Sequence, residues 1–424
     1  MAAVTAICTG LALLILAVLA ITAGVRNSDK RAKRANGGPA SIFVAALAYV
    51  IVLAPVVMPY GLVLATILLL IVVIALPAIG SGLAVKTRSQ LGDKARLVYD
   101  WAGVLVAFAL LAGILATAGS MLSLMGGVNR ILATAVIGVC GAGYLLAQGR
   151  EAASRTSRWT IAIAFVIPVI LLLLGGVVGK VDTLANSLVP YEALPLGSAA
   201  ALVLAVGACG FLDPAMGLVF RGAEKPGKAA LWGAVIAASF VLVFGLGLAL
   251  VYGGAFVAPT LQAFLLAAAP ALAIGYFMFF GVFVLASAAD TQLAASSELA
   301  AENTVLRRRR PITGLIVVVA VVLAILVPAP GEIFAVAATI AAAACGAVLP
   351  AASGKMPDLA ALPGAVVGIV GAVIVAVIMG FTAALTFVTA TAVCLVVAFV
   401  LALVVSVVMG KRQPAVEPIE PAAA

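Results

Sequence analysis

No histidine occurs in the 424 residues, and Lys, Arg, Asp and Glu together make up only 9% of them. The first absence removes the commonest metal ligand and the usual acid–base catalyst near neutral pH. No other metal-ligand cluster or nucleophile–base pair replaces it, so an enzyme is not expected. The second absence excludes more. With 66% hydrophobic residues and a mean hydropathy of +1.32, the chain has too few polar side chains to coat a water-soluble globule of this size. Cysteine is sparse and unpaired: Cys8, Cys140, Cys209, Cys345 and Cys394 lie singly within apolar segments, without the spacing of a disulfide framework or a metal site. They read as small packing residues.

What fills the chain is long apolar runs. At about 20 residues per crossing, thirteen segments are expected, at roughly 4 to 25, 41 to 59, 61 to 84, 100 to 124, 129 to 148, 159 to 179, 198 to 220, 229 to 253, 261 to 289, 312 to 328, 331 to 351, 363 to 382 and 384 to 409. The net charge of +9 reports topology, because Lys and Arg gather in cytoplasmic loops, and it does not call for a nucleic-acid partner. If the N-terminus is outside, 22 of the 24 basic residues fall on the inner side and only Arg130 and Lys180 outside. One missed or invented span would reverse every later loop, so the asymmetry supports thirteen spans, N-outside and C-inside. The first segment has no basic residue before it and is read as a retained span, not a signal peptide. The Met58-Pro59-Tyr60-Gly61 stretch is expected to turn between spans two and three. The longest outer connection, Lys180 to Leu196, has only 17 residues, so one transmembrane domain is expected over 1–424.

Ionisable residues within a span cost roughly 2.5 to 3.5 kcal/mol each on insertion scales and mark pathways more often than packing. Two carboxylates stand there: Asp213, in span seven, and Asp290, at the inner end of span nine. Asp213 precedes Pro214 and follows Gly210, a combination that breaks a helix and frees a carbonyl one turn earlier. The aspartate either serves the translocation path or bonds the local kink. In span two, Pro55 and Pro59 interrupt an apolar helix in which Ala45, Ala46 and Ala48 permit close backbone approach. Breaks at spans two and seven sit five apart. Transporters built from two inverted five-helix repeats begin each repeat with a discontinuous helix and bind solute and ion where the breaks meet. The expected layout is an extra first span and basic loop over 1–40, repeat one over 41–179, repeat two over 198–351, two C-terminal spans over 363–409, and a tail over 410–424.

Four separated stretches then resemble the sodium/solute symporter family. Ser287, Ala288, Ala289, Asp290, Thr291, Gln292 and Leu293, with Glu302-Asn303 beyond, stand where that family has S-T-x-D-S-Q-L and an acidic helix end. Gly149, Ala152, Thr156, Ser157 and Thr160 occupy fixed points of its entry to span six. Gly210, Pro214 and the run RGAEKPGKAA are similar to its broken span seven, and Gly364, Ala365, Gly368 and Gly371 to the opening of its span twelve. The resemblance implies a short, divergent member and an all-α inverted-repeat transporter. It also implies a sodium site near Ser287, built from span-two carbonyls around Ala45 and Ala48 and from hydroxyls of span nine, with Ser287, Asp290 and Thr291 turned toward broken span two. Two departures deplete that site: Ala288 replaces a hydroxyl and Ser157 replaces an aspartate. The coupling ion is accordingly Na+ or H+, if there is one.

The expected function is cation-coupled symport of a small organic solute across a bacterial-type plasma membrane. Few Asn, Gln or aromatic groups in the spans argue against sugars and toward a carboxylate or amino acid. The alternative is a transport-incompetent member of the fold acting as a membrane sensor or partner subunit. Glu298 and Glu302 read as a solvated helix extension ending at Arg307 to Arg310.

Overall fold

The computed structural model describes residues 2–21, 38–148, 150–178, 194–221, 225–252, 272–304, 309–354, 357–379 and 384–410. The first basic loop, Gly149, the 180–193 connection with Asn186, Arg307, Arg308, Lys355 and the tail beyond Gly410 lie outside the described residues. Within them the chain is helical almost throughout, with no strand. In order the helices are α1 Ala2–Ile21, α2 Pro39–Val57, α3 Leu62–Ala78, α4 Val85–Gln90, α5 Asp93–Gly126, α6 Arg130–Gln148, α7 Arg150–Val178, α8 Leu196–Leu212, α9 Pro214–Arg221, α10 Pro226–Tyr252, α11 Leu272–Asn303, α12 Arg309–Leu326, α13 Pro330–Ala352, α14 Ala361–Met379 and α15 Ala384–Gly410. Among the described residues, eight helices are long and apolar enough to cross a membrane. Five shorter apolar stretches lie on α1, α6, α8, α12 and α14.

Burial separates an inner group of helices from an outer one. α2, α5, α11 and α13 are covered along most of their length, whereas α15 presents Val393, Val396, Val400, Val404, Val407 and Val408 outward. A water-soluble protein could not leave such a stripe bare, and a bilayer can. α11 is the axis of the assembly, touching α1, α2, α5, α6, α7, α9 and α12. Its lack of a polar face follows, since no side of it meets solvent. Backbones approach closely where residues are small: a methyl on Gly368 would lie 2.9 Å from both Ala343 and Ala398, which joins α14 to α13 and α15.

The turn after α2 is a 3₁₀ turn, Met58–Tyr60, closed by Gly61 at φ 101°, a conformation L side chains rarely adopt. Pro77 loosens the far end of α3, and a π-helical stretch, Ile79–Ala84, carries the chain into α4. Span two differs from expectation. α2 is one continuous helix through Ala45, Ala48 and Pro55. Pro55 lies three residues from the helix end, so its missing donor releases only the Ile51 carbonyl, and Met58 N–H still bonds Ala54. No interruption opens near Ala45 or Ala48.

Candidate functional site

The expected break in span seven is present and sits between α8 and α9. Proline cannot donate to the Gly210 carbonyl, and it drives the residue before it out of the helical region. Asp213 accordingly has φ −57° and ψ 114°. Side chains then repair most of the damage. Ala215 N–H donates to Asp213 Oδ1 at 2.8 Å, and the Tyr99 hydroxyl of α5 donates to the Phe211 carbonyl at 2.7 Å. Gln292 Nε2 of α11 reaches Asp213 Oδ2 at 3.2 Å. Two polar atoms beside this repair are left over. The Tyr49 hydroxyl of α2 approaches Asp213 closely enough to interact with it, yet makes no bond of hydrogen-bonding geometry, and Gln292 Oε1 has no partner. Both residues are fully buried. Leaving such a group unsatisfied costs about 1–3 kcal/mol, so a pair of them at one place points to a function.

The break is pressed directly against α5. A methyl on Gly103 would stand 2.5 Å from the Leu212 carbonyl oxygen, and one on Gly210 would overlap Leu76. Gly103→Ala is therefore expected to lower stability by ~1–3 kcal/mol, because the obstructing atom is backbone and must move with the helix. Thermal unfolding of the purified variant in detergent checks this, and an unchanged midpoint would contradict the packing described.

Along α11, Ser287, Asp290, Thr291, Gln292, Ser296 and Ser297 are all buried. They point to different neighbours. Thr160 Oγ1 of α7 donates to Ser287 Oγ at 2.7 Å. Thr291, Ser296 and Ser297 donate back to carbonyls of their own helix. Asp290 faces α6, where a methyl on Gly141 would lie 3.0 Å from its Oδ1, and Oδ2 is buried without a partner. Gly141 is the position that admits the carboxylate.

A third carboxylate, Asp100 in the first part of α5, is equally buried but fully paired. Arg88 of α4 grips it with Nε to Oδ1 at 2.7 Å and Nη2 to Oδ2 at 2.8 Å. Asn303 Nδ2 adds a bond to Oδ2 at 3.2 Å, and Arg88 also lies 3.6 Å from Glu302. The end of α11 is thus fastened to α4 and α5. The solvated extension expected there is only partly present: Glu302 is exposed and lies beside Arg88, whereas Glu298 is half-buried and Leu299 and Ala300 are buried.

The structure brings Asp213 together with Gln292, Tyr49 and Tyr99, and Ser287 together with Thr160. Asp290 lies against Gly141 of α6, and the Thr291 hydroxyl bonds the Ser287 carbonyl of its own helix. Ser157 is buried and donates to the Ala153 carbonyl on its own helix. Ala45, Ala48 and Ala288 are wholly buried, carry no side-chain oxygen, and belong to helices whose carbonyls the helical ladders occupy. α2 is unbroken at Ala45 and Ala48, so the backbone interruption that the resemblance implies there is not present. Tyr49 and Tyr99 were missed. The available signal was a polar-tipped aromatic in an apolar span, which needs a partner for its hydroxyl.

No protein-family model matches the sequence, and no curated protein matches it. Solved structures do. A substrate-bound, outward-open Na+-coupled sialic acid symporter superposes with a TM-score of 0.69 at 12% identity, over 95% of this chain and 97% of that one. Two point variants of an Eremococcus coleocola manganese transporter follow, with TM-scores of 0.52 and 0.51 at 12% and 13% identity, over 91% of this chain and 97% of theirs. At such identities the likeness is one of fold alone: the chain has a multi-helix fold similar to that of the Na+-coupled symporter.

Proposed function

We propose that this protein is a secondary active transporter of a small organic solute, coupled to Na+ or H+, with the solute bound at the α8–α9 break and the coupling cation at Asp290. The break carries the argument. A buried helix interruption ringed by Asp213 and two polar atoms without partners, Tyr49 Oη and Gln292 Oε1, is an expensive arrangement that a ligand would complete. Asp290, whose Oδ2 has no partner, then offers a second point where a cation would be neutralised, close to Ser287. The fold likeness to a Na+-coupled symporter supports a coupled mechanism. In this reading the helices form thirteen spans, N-outside and C-inside, with two inverted repeats of five. The membrane is a bacterial-type plasma membrane.

The test is uptake into proteoliposomes from a panel of carboxylates, amino acids, amines and sugars, under a Na+ gradient and separately under a pH gradient, with counterflow alongside. Accumulation under one gradient supports the reading; no transport of any compound in either mode defeats it. The second reading, a transport-incompetent sensor or partner subunit, is favoured by the continuous α2 and by Ser157 and Thr291 bonding their own backbones, which leave the implied sodium site without its ligands.

Topology gives a separate prediction. A cysteine at Asn186 is expected to react with an impermeant thiol reagent applied outside, and one at Lys355 only after the membrane is opened. The reverse pattern would defeat the thirteen-span orientation.

A further inference from the structure

Among the described residues, the buried charged side chains are Asp100, Asp213 and Asp290, and none is basic. Asp100 has Arg88 as its counter-charge. Among the described residues, no ion pair reaches Asp213 or Asp290. A low-dielectric interior with carboxylates that lack counter-charges is completed by whatever enters it. At the α8–α9 break the available groups are mostly acceptors. They are the Asp213 carboxylate, the unpartnered Gln292 Oε1, and the Gly210 carbonyl that Pro214 cannot serve. The Tyr49 hydroxyl, also unpartnered, can accept as well as donate. Aromatic rings stand at the same place, with Tyr99 and Phe211 edge-to-face at 5.5 Å.

We propose that this site takes the ammonium group of a small organic solute, so that the cargo is an amine or amino acid and not a carboxylate lacking an amine. Ammonium N–H groups would satisfy Asp213 and Gln292 Oε1 together, and aromatic faces beside a carboxylate favour an organic cation. A solute whose polar end was a carboxylate would place like charges together where little water screens them. A bare metal ion fits less well. Asp213 already accepts bonds from Ala215 N–H and Gln292 Nε2, and no group of three or more His, Cys, Asp or Glu side chains converges among the described residues. Hard cations need more oxygen ligands than remain.

The ligand class rests on the transporter reading only in calling the ligand a cargo, and the test separates the two. The purified full chain is melted in detergent at constant ionic strength with a series of chlorides from methylammonium to phenethylammonium, with the carboxylate of each same carbon skeleton, and with sodium and manganese chloride. At least one ammonium compound is expected to raise the Tm by on the order of 2 °C or more at saturating concentration, while its matched carboxylate does not. Asp213→Asn should remove that rise. Tyr49→Phe, which removes a hydroxyl that lies beside Asp213 without a bond of hydrogen-bonding geometry, should fold as the parent does and weaken the apparent affinity several-fold. The proposal is overturned if a matched carboxylate stabilises as well, if only the inorganic cations do, if no ammonium compound does, or if both substitutions leave the effect intact. Ammonium binding without uptake under any gradient would keep the ligand class and remove the transporter. Uptake of an amine-free carboxylate would do the opposite.

Discussion

Asp290→Asn is expected to abolish gradient-driven accumulation by reconstituted protein while leaving counterflow in place. The substitution keeps the shape of the side chain and removes only its charge. The carboxylate sits fully buried against Gly141, with an unpartnered oxygen and no ion pair among the described residues, so a Na+ or a proton arriving there would neutralise it. Removing one member of such a buried pair is worth about 2 kcal/mol or more, roughly 30-fold in affinity for the ion. Exchange of solute for solute moves no net ion and should persist. If the ion is sodium, the variant should lose sodium dependence; if it is a proton, pH-driven accumulation should disappear instead. Undiminished accumulation under either gradient would reduce Asp290 to a packing residue of α11 and remove the coupling site from the proposed mechanism.

Arg88→Leu is expected to destabilise the protein more than any other single substitution considered. Arg88 makes two hydrogen bonds of 2.7 and 2.8 Å to a carboxylate that is 1% exposed. Without the guanidinium, Asp100 keeps only Asn303 at 3.2 Å and the distant Arg96 at 3.9 Å, too little to balance a buried charge. A cost of ~3–5 kcal/mol is expected. The double variant with Asp100→Leu should recover most of that loss, since what harms the single variant is the stranded charge, and an apolar pair of similar size fills the space. Thermal unfolding of the parent, both single variants and the double variant completes the cycle. Additive losses in the double variant would show that the pair does not act as a unit. Because Asn303 and Glu302 belong to the same cluster, the single variant should also loosen the end of α11, measurable as faster amide exchange there.

The parts of the fold legible beforehand are those governed by the solvent. A run of apolar residues long enough to span a bilayer has to become a helix, because no water is present to satisfy its backbone. Among the described residues, eight helices are long and apolar enough to cross a membrane. Proline chemistry is equally local, so Pro214 announced the break at Asp213 and Met58-Pro59-Tyr60-Gly61 its turn. Pro55 shows the limit of that logic: the same residue near the end of α2 releases a single carbonyl and breaks nothing.

Composition and periodicity alone therefore determined that this is an all-helical membrane protein with carboxylates placed where charge is costly. The partner of each polar group was settled only in three dimensions. Asp100 and Asp290 look alike in sequence, each a lone acid beside an apolar run, yet one meets Arg88 and the other meets Gly141. Ser157 and Thr160 lie three residues apart on α7, but only Thr160 crosses to Ser287, while Ser157 bonds its own backbone. Helix periodicity tells which residues share a face, whereas the neighbour that a face meets is set by how the helices rotate and cross. Hydrogen bonds and ion pairs act over about 3 Å, and a rotation of a few tens of degrees about a helix axis exchanges one partner for another. Tyr49 and Gln292 became candidates because the packed structure brings both beside Asp213 and leaves Gln292 Oε1 and the Tyr49 hydroxyl without a bond of hydrogen-bonding geometry.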